Sequence, residues 1–293
     1  MPFRLKLAHT INRFAQEEGV NLTPIEGLKL YRARNDVPRQ PVVYKPSICA
    51  LVQGHKRVYL GDQCYTYDPN HYLLNSLTLP IEAEVNDTSP EQPYLGLSLE
   101  IDTNMVSQLM LQMDAYNPVI QPARRDNILA AAPLTDHLLH SLDRLVSMID
   151  SPQDFEILGE QVKREIFYEV LKGPQGGLLR NCVANHGGAV RIASVIHYIE
   201  ANFDQNLDID TISGVAQMSP SVLHEQFKAY TSFSPMQFVK NLRLHQARTM
   251  LCSGTKASEA CYKVGYSSPS QFSREFKRLF GYSPRDIQLQ MAS

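Results

Sequence analysis

SPSVLHEQFKAYTSFSPMQF (residues 219–238) aligns without gaps on SPSQFSREFKRLFGYSPRDI (residues 268–287), sharing seven of twenty positions at an offset of 49 residues. An internal repeat outranks other local signals, because each copy defines one supersecondary unit. Each copy follows a short apolar helical pattern in which Val215 matches Val264. In the first copy Ile209, Ile212 and Val215 form the apolar face of a leading helix. Ser219-Pro220 then supply an N-cap and an N1 proline to a second helix whose Leu223 and Phe227 face inward. The second copy repeats this plan with Ala257, Ala260 and Val264, then Ser268-Pro269, then Phe272 and Phe276. The repeat therefore reads as two helix-turn-helix units, at about 209–230 and 257–280.

Between the units, Ser234-Pro235 start MQFVKNLRLHQARTMLC, a helix of roughly 18 residues or about 27 Å. Major-groove exposures on one face of DNA recur every ~34 Å, so a strut of that length suits two recognition helices entering adjacent grooves. Charge supports a polyanionic partner. The whole chain of 293 residues has a net charge of −2, yet residues 240–285 hold nine Lys and Arg against two Asp and Glu. A basic block on an otherwise acidic chain suggests a polyanion such as nucleic acid, with a solvated helix face as the other reading, and charge alone does not decide between them.

With Leu223, Phe227, Phe272 and Phe276 turned inward, the exposed early positions of the second helices are left for base edges. These are Ser221, His224 and Glu225 in the first unit and Ser270, Gln271, Ser273 and Arg274 in the second. Arg274 suits a bidentate contact to guanine, Gln271 suits adenine, and Glu225 can accept from the cytosine amine. Solvent exposure or an intramolecular pair is the other reading of Glu225. Lys228 and Lys277, one residue beyond the inward phenylalanines, are placed for phosphate, as are the helix starts at Ser219 and Ser268.

The rest of the chain has a different character. From Tyr31 to Asp102, SICALVQ, KRVYL, CYTY, YLLNSLTL, IEAEV and YLGLSLEI read as short strands separated by turn signals such as Gly54-His55, Gly61-Asp62 and Asp68-Pro69-Asn70. Short, evenly spaced strands predict an antiparallel meander closed into a small barrel or jelly roll. The periodicity then turns helical. Thr103-Asn104 are positioned to cap MVSQLMLQMDAY, Thr135-Asp136 begin a helix through LLHSLDRLVSMI, and Ser151-Pro152 start QDFEILGEQVKREIFYEVL. Phe155, Leu158, Val162, Ile166 and Val170 form an apolar stripe on the third helix, fit either for packing on the barrel or for a dimer surface. Five glycines within 172–188 mark a linker.

The expected organisation is thus α+β in two domains: a barrel over 1–103, a helical dimerisation region over 104–172, a linker over 173–189 and an all-α domain over 190–293. No apolar run spans a bilayer and no cleavable leader pattern is evident, which points to the cytoplasm. Five cysteines without a C-x-x-C argue against a disulfide framework or a thiolate zinc site.

Ala257, Ala260, Val264-Gly265-Tyr266, Phe272-Ser273-Arg274-Glu275-Phe276-Lys277 and Gly281-Tyr282-Ser283-Pro284, with Arg243-Leu244, Ala247 and Leu251 upstream, resemble the signature of the AraC/XylS transcriptional regulators. The front half, through Pro46-Ser47-Ile48-Cys49, Gln53-Gly54, Tyr59-Leu60-Gly61-Asp62, Tyr67-Asp68-Pro69 and Tyr94-Leu95, is similar to the cupin-like N-terminal domain of a subset of that family. The resemblance implies a ligand-sensing or dimerising barrel joined to a DNA reader, with RNA polymerase as a further partner if the protein is an activator. A basic residue is common in the family where Glu225 stands.

Enzymatic readings find less support. His137-x-x-His140 has helical spacing but no evident third ligand. The H-x-H pair of metal-dependent cupins is missing, with His55 and His71 standing apart, and no phosphate loop or nucleophile elbow is present. Cys49 and Cys64 on strands read as packing residues, with electrophile or redox sensing as the alternative. The expected function is a sequence-specific promoter-binding regulator, a homodimer without cofactor, metal or catalytic residues, answering to a small-molecule effector of unspecified identity. The rivals are a cupin-type enzyme carrying a DNA-binding tail and an effector-independent architectural DNA-binding protein.

Overall fold

A computed structural model describes residues 2–116, 128–183 and 188–287. Part of the expected linker, 184–187, and the end of the expected DNA-binding domain, 288–293, lie outside the described residues. Contacts divide the chain into two compact units. The first holds Met1–Arg39, Tyr44–Thr78 and Ala83–His186; the second holds Gln40–Val43, Leu79–Glu82 and Gly187–Ser293.

The N-terminal part opens with helix α1 (Pro2–Phe14) and continues through β1 (Gly19–Leu22), β2 (Leu28–Ala33), β3 (Val37–Tyr44), β4 (Ser47–Gln53) and β5 (His55–Leu60). It goes on with β6 (Gln63–Tyr67), β7 (His71–Asn75), β8 (Leu79–Asn86) and β9 (Tyr94–Glu100). Helix α2 (Thr103–Tyr116), strand β10 (Leu129–Pro133) and helices α3 (Asp136–Ser147), α4 (Pro152–Lys172) and α5 (Gly176–Asn181) complete it. The strands form two sheets, ordered β1-β2-β9-β4-β7-β10 and β3-β8-β5-β6.

The larger sheet divides its side chains by the two-residue period of a strand. Leu28 and Leu30, Ile48 and Ala50, and Leu95, Leu97 and Leu99 share one buried core with Leu7 and Ile11 of α1, Leu138 and Leu142 of α3, and Val162, Ile166 and Val170 of α4. The alternate residues Tyr31, Cys49, Tyr94, Gly96 and Ser98 point the other way, toward the smaller sheet.

Several expectations need correction. YLLNSLTL is two strands, because β7 ends at Asn75 and β8 begins at Leu79. At the break, the Ser76 backbone N–H and hydroxyl both donate to the Ile128 carbonyl and Asn75 Nδ2 donates to that of Lys45, so side chains add to the backbone bonding where the strand ends. Asp102, rather than Thr103 or Asn104, caps α2, its Oδ1 accepting from Met105 N at 3.0 Å. Thr135 and Ser151 cap α3 and α4 as expected from their positions.

The stripe on α4 is mostly spent within the chain: Val162, Ile166 and Val170 are fully buried in the core, while Leu158 is 43% exposed. It cannot serve as a dimer surface. Cys64 is exposed rather than packed, since β6 turns it outward; Cys49 is buried, and burial pushes its thiol pKa up. The early part of the expected linker is structured, with α5 burying Leu178 and Leu179 in the first core.

The helical unit contains α6 (Gly188–Asn202), α7 (Ile209–Ala216), α8 (Pro220–Thr231), α9 (Pro235–Cys252), α10 (Ala257–Lys263) and α11 (Pro269–Phe280). Among the described residues no helix is long and apolar enough to cross a membrane.

Candidate nucleic-acid interface

Each half of the repeat folds as a short helix, a turn and a longer helix, and capping chemistry fixes the turn. Ser219 Oγ accepts from Val222 N, and Ser268 Oγ accepts from Gln271 N at 3.3 Å, with Pro220 and Pro269 at the first helical positions. These bonds satisfy amide groups that a helix start would otherwise leave open. The two turns are not superimposable residue for residue. The first passes through Gln217 at φ 52°, whereas the second uses Gly265 at φ 83°, which aligns with Ala216 instead. Glycine is required there because a Cβ would lie 2.6 Å from the Asp204 carbonyl oxygen.

Helix α9 belongs to both halves. Near its start, Phe238 meets Phe227 of α8 edge to face at 5.3 Å. Further along, Leu244, Ala247 and Leu251 join Phe272 and Phe276 in the core of the second half. Arg243 on the same helix donates from Nε to the Phe203 carbonyl and from Nη2 to that of Gln205, both at 2.6 Å. The strut is thereby fixed to both recognition helices and to the segment after α6.

The sequence-predicted readers are placed as follows. Leu223, Phe227, Phe272 and Phe276 are buried. Ser221, His224 and Glu225 on α8, and Ser270, Gln271, Ser273 and Arg274 on α11, are exposed. Ser219, Lys228 and Lys277 are exposed as well, and Ser268 is half-buried. Arg274 and Lys277 make no ion pair among the described residues, so their charges stay available. Glu225 is likewise exposed without an ion pair among the described residues.

One residue at this surface escaped the sequence reading. Glu275 is 8% exposed, although it directly follows the reader Arg274. Its Oε2 accepts from Tyr266 Oη at 2.8 Å, and its Oε1 accepts from Gln271 Nε2 at 3.3 Å and pairs with Lys240 Nζ of α9 at 3.1 Å. Burial alone would push this carboxyl up; the bonds from Tyr266, Lys240 and Gln271 together pull it below the usual carboxylate range. One of the two Gln271 amide hydrogens is thus engaged, leaving the second hydrogen and the carbonyl for a base. The position was legible in principle, since Glu275 follows Phe272 by three residues and falls on the inward stripe.

Residues considered for metal or catalysis are dispersed. The His140 ring packs against Phe3 at 4.9 Å, while His137 is exposed. His55 pairs with Asp87 at 3.3 Å and His71 with Asp68 at 2.8 Å, on separate stretches. Among the described residues no group of three His, Cys, Asp or Glu could hold a metal ion.

A two-sheet unit and a helical unit with two capped helix-turn-helix elements define the class: a two-unit protein carrying a helix-turn-helix domain. The family model for the AraC-type transcriptional regulator N-terminus matches residues 24–178, and that for a helix-turn-helix domain matches residues 212–290. The chain belongs to the AraC-type transcriptional regulators. Among its relatives is the HTH-type transcriptional activator RhaS of Escherichia coli (strain SMS-3-5 / SECEC), 28% identical over 152 residues, covering 51% of this chain and 54% of that protein. The chain spans about half the length of the curated relatives it matches. Apo ToxT from Vibrio cholerae strain SCE256 has a similar fold, with a TM-score of 0.62 at 14% identity over 93% of this chain and 99% of that one. Unsaturated fatty acid-bound ToxT gives a TM-score of 0.62 at 13% identity, over 92% and 95%.

Proposed function

We propose that the chain is a cytoplasmic regulator that reads a specific promoter sequence, with residues 190–293 as the DNA-binding domain and 1–103 as an effector-binding barrel. The supporting observation is the pair of exposed recognition faces on α8 and α11, joined by a helix buried in the cores of both halves. Ser221, His224, Glu225, Ser270, Gln271, Ser273 and Arg274 face base edges, while Ser219, Lys228, Ser268 and Lys277 hold phosphates. Glu225 requires a cytosine amine opposite it, since phosphate would repel its carboxylate.

RhaS is named an activator, which favours activation through RNA polymerase here too. A solved ToxT holds an unsaturated fatty acid, in keeping with a small effector for this chain. The support for a homodimer through 104–172 is the exposed apolar residues of α2 and α4, Leu111, Tyr116, Ile157 and Tyr168. No catalysed reaction and no cofactor belong to this reading.

The test is footprinting of the full chain on DNA upstream of its own and neighbouring genes. A discrete protected site that survives competitor DNA supports the reading. Salt-sensitive coverage without a preferred site would replace it with an architectural role.

A further inference from the structure

The interior of the β-rich unit is polar where a small barrel is ordinarily filled by apolar side chains or holds one small ligand. Strand alternation puts Lys56 on the same face of β5 as the buried Val58 and Leu60. Its amine lies 5.2 Å from the ring centre of Tyr44, 5.5 Å from Tyr31 and 5.7 Å from Tyr94. Tyr31 and Tyr94 come from the larger sheet and Tyr44 from the smaller, so the amine sits between the two.

Lys56 makes no ion pair or hydrogen bond among the described residues. Burial lowers its pKa to about 8, offset only in part by the Cys49 thiol, the response of an ammonium deprived of water without a carboxylate beside it. Attraction to three aromatic faces, each near the outer limit for such contacts, offsets only part of that desolvation. Nearby, the Tyr44 hydroxyl is buried with only the Tyr67 hydroxyl as its neighbour, whereas that of Tyr31 is bonded to Ser98 Oγ at 3.0 Å. An ammonium without a carboxylate partner and a buried phenol with room for a further acceptor, framed by aromatic faces, are complementary to a single carboxylate on an apolar or aromatic body. A phosphate dianion would call for more donors than these two.

We propose that this interior is the effector site, and that it takes a small monocarboxylic acid whose carboxylate pairs with Lys56 Nζ and accepts from Tyr44 Oη, with its apolar body against Tyr31 and Tyr94. The proposal deepens the effector reading above and rests on it for its regulatory meaning.

The full chain lacks Trp and contains 14 Tyr, so tyrosine fluorescence and thermal unfolding both report on the site. The probes are benzoate, phenylacetate, 4-hydroxybenzoate and hexanoate, each beside its neutral amide, up to about 10 mM. At least one acid should raise the Tm and change tyrosine emission in a saturable way, and its amide should not. Lys56→Met should weaken binding by at least about tenfold, Tyr44→Phe by about threefold, and Lys56→Arg should retain part of it. Far-UV circular dichroism checks each variant for folding.

Wild-type protein that answers to none of the acids, or equally to acids and amides, overturns the proposal. A folded Lys56→Met that binds like wild type does the same. If that variant does not fold, the acid-against-amide comparison on wild type still decides. Promoter binding is measured on the same samples without probe; its absence in wild type would refute the regulator reading while leaving the acid-binding result intact.

Discussion

Replacing Glu275 by Met keeps the volume of the side chain and removes the acceptor that joins α9, the second turn and α11. The loss falls chiefly on Tyr266, which is 7% exposed and whose hydroxyl would be left unpaired. A buried hydroxyl deprived of its partner costs about 1–3 kcal/mol. Lys240 is 36% exposed at its side chain and can rehydrate, so the lost ion pair adds at most about 1 kcal/mol. The sum, about 1–4 kcal/mol, corresponds to a fall of roughly 5–30 °C in the Tm of a unit of this size.

The assay is a double-mutant cycle by thermal unfolding, in which Tyr266→Phe is added to remove the orphaned hydroxyl. Because that group causes most of the cost, the double variant should recover about 1–2 kcal/mol relative to Glu275→Met alone. The same carboxyl makes stability depend on pH. A carboxyl held below its ordinary pKa binds fewer protons when folded, so it stabilises the fold above its unfolded pKa and loses this contribution as pH falls through the folded value. Wild type should therefore lose more stability than Glu275→Gln on acidification below about pH 4.5. A Glu275→Met protein as stable as wild type, or a cycle without coupling, would refute the role given to this carboxylate.

Three further outcomes follow from local geometry. Gly265→Ala combines a left-handed backbone with a Cβ 2.6 Å from the Asp204 carbonyl oxygen, and should destabilise the helical unit by about 2–4 kcal/mol in urea unfolding. Ile166→Asp, at a fully buried position, should abolish cooperative unfolding of the N-terminal unit, whereas Leu158→Asp on the same helix should fold normally. Tyr168→Asp should lower the mass measured by light scattering if the exposed side of α4 joins two copies; an unchanged dimer would place the interface elsewhere.

The two ends of the chain were not equally legible. The second helix of each repeat could be read because Ser-Pro starts and inward aromatics repeat at a fixed offset, and local capping decides a helix start almost alone. Strand β10 has the sequence LAAAP, whose alanines carry little strand propensity; it is a strand because β7 offers it a partner. Helix α1 had an i, i+4 pair in Leu7 and Ile11, yet its burial depends on the sheet core, which the local pattern does not reveal. The α4 stripe was visible, but only the packing of α3 and α4 in the same core shows that it faces inward. Lys56 and Glu275 share a different obscurity: each is a charged residue on an inward position, where a binary pattern expects an apolar one.

The central claim is that α11 reads bases through Arg274 and holds the backbone through Lys277, and competition binding of full-length Arg274→Ala and Lys277→Ala proteins tests it most directly. Binding is measured on the footprinted site and its single-base variants at several salt concentrations. Arg274→Ala should cost about 1–3 kcal/mol on the preferred site and relax discrimination at one base pair. Lys277→Ala should weaken all duplexes alike and lower the salt slope by about one unit. Uniform weakening by Arg274→Ala together with altered base preference in Lys277→Ala would contradict the account.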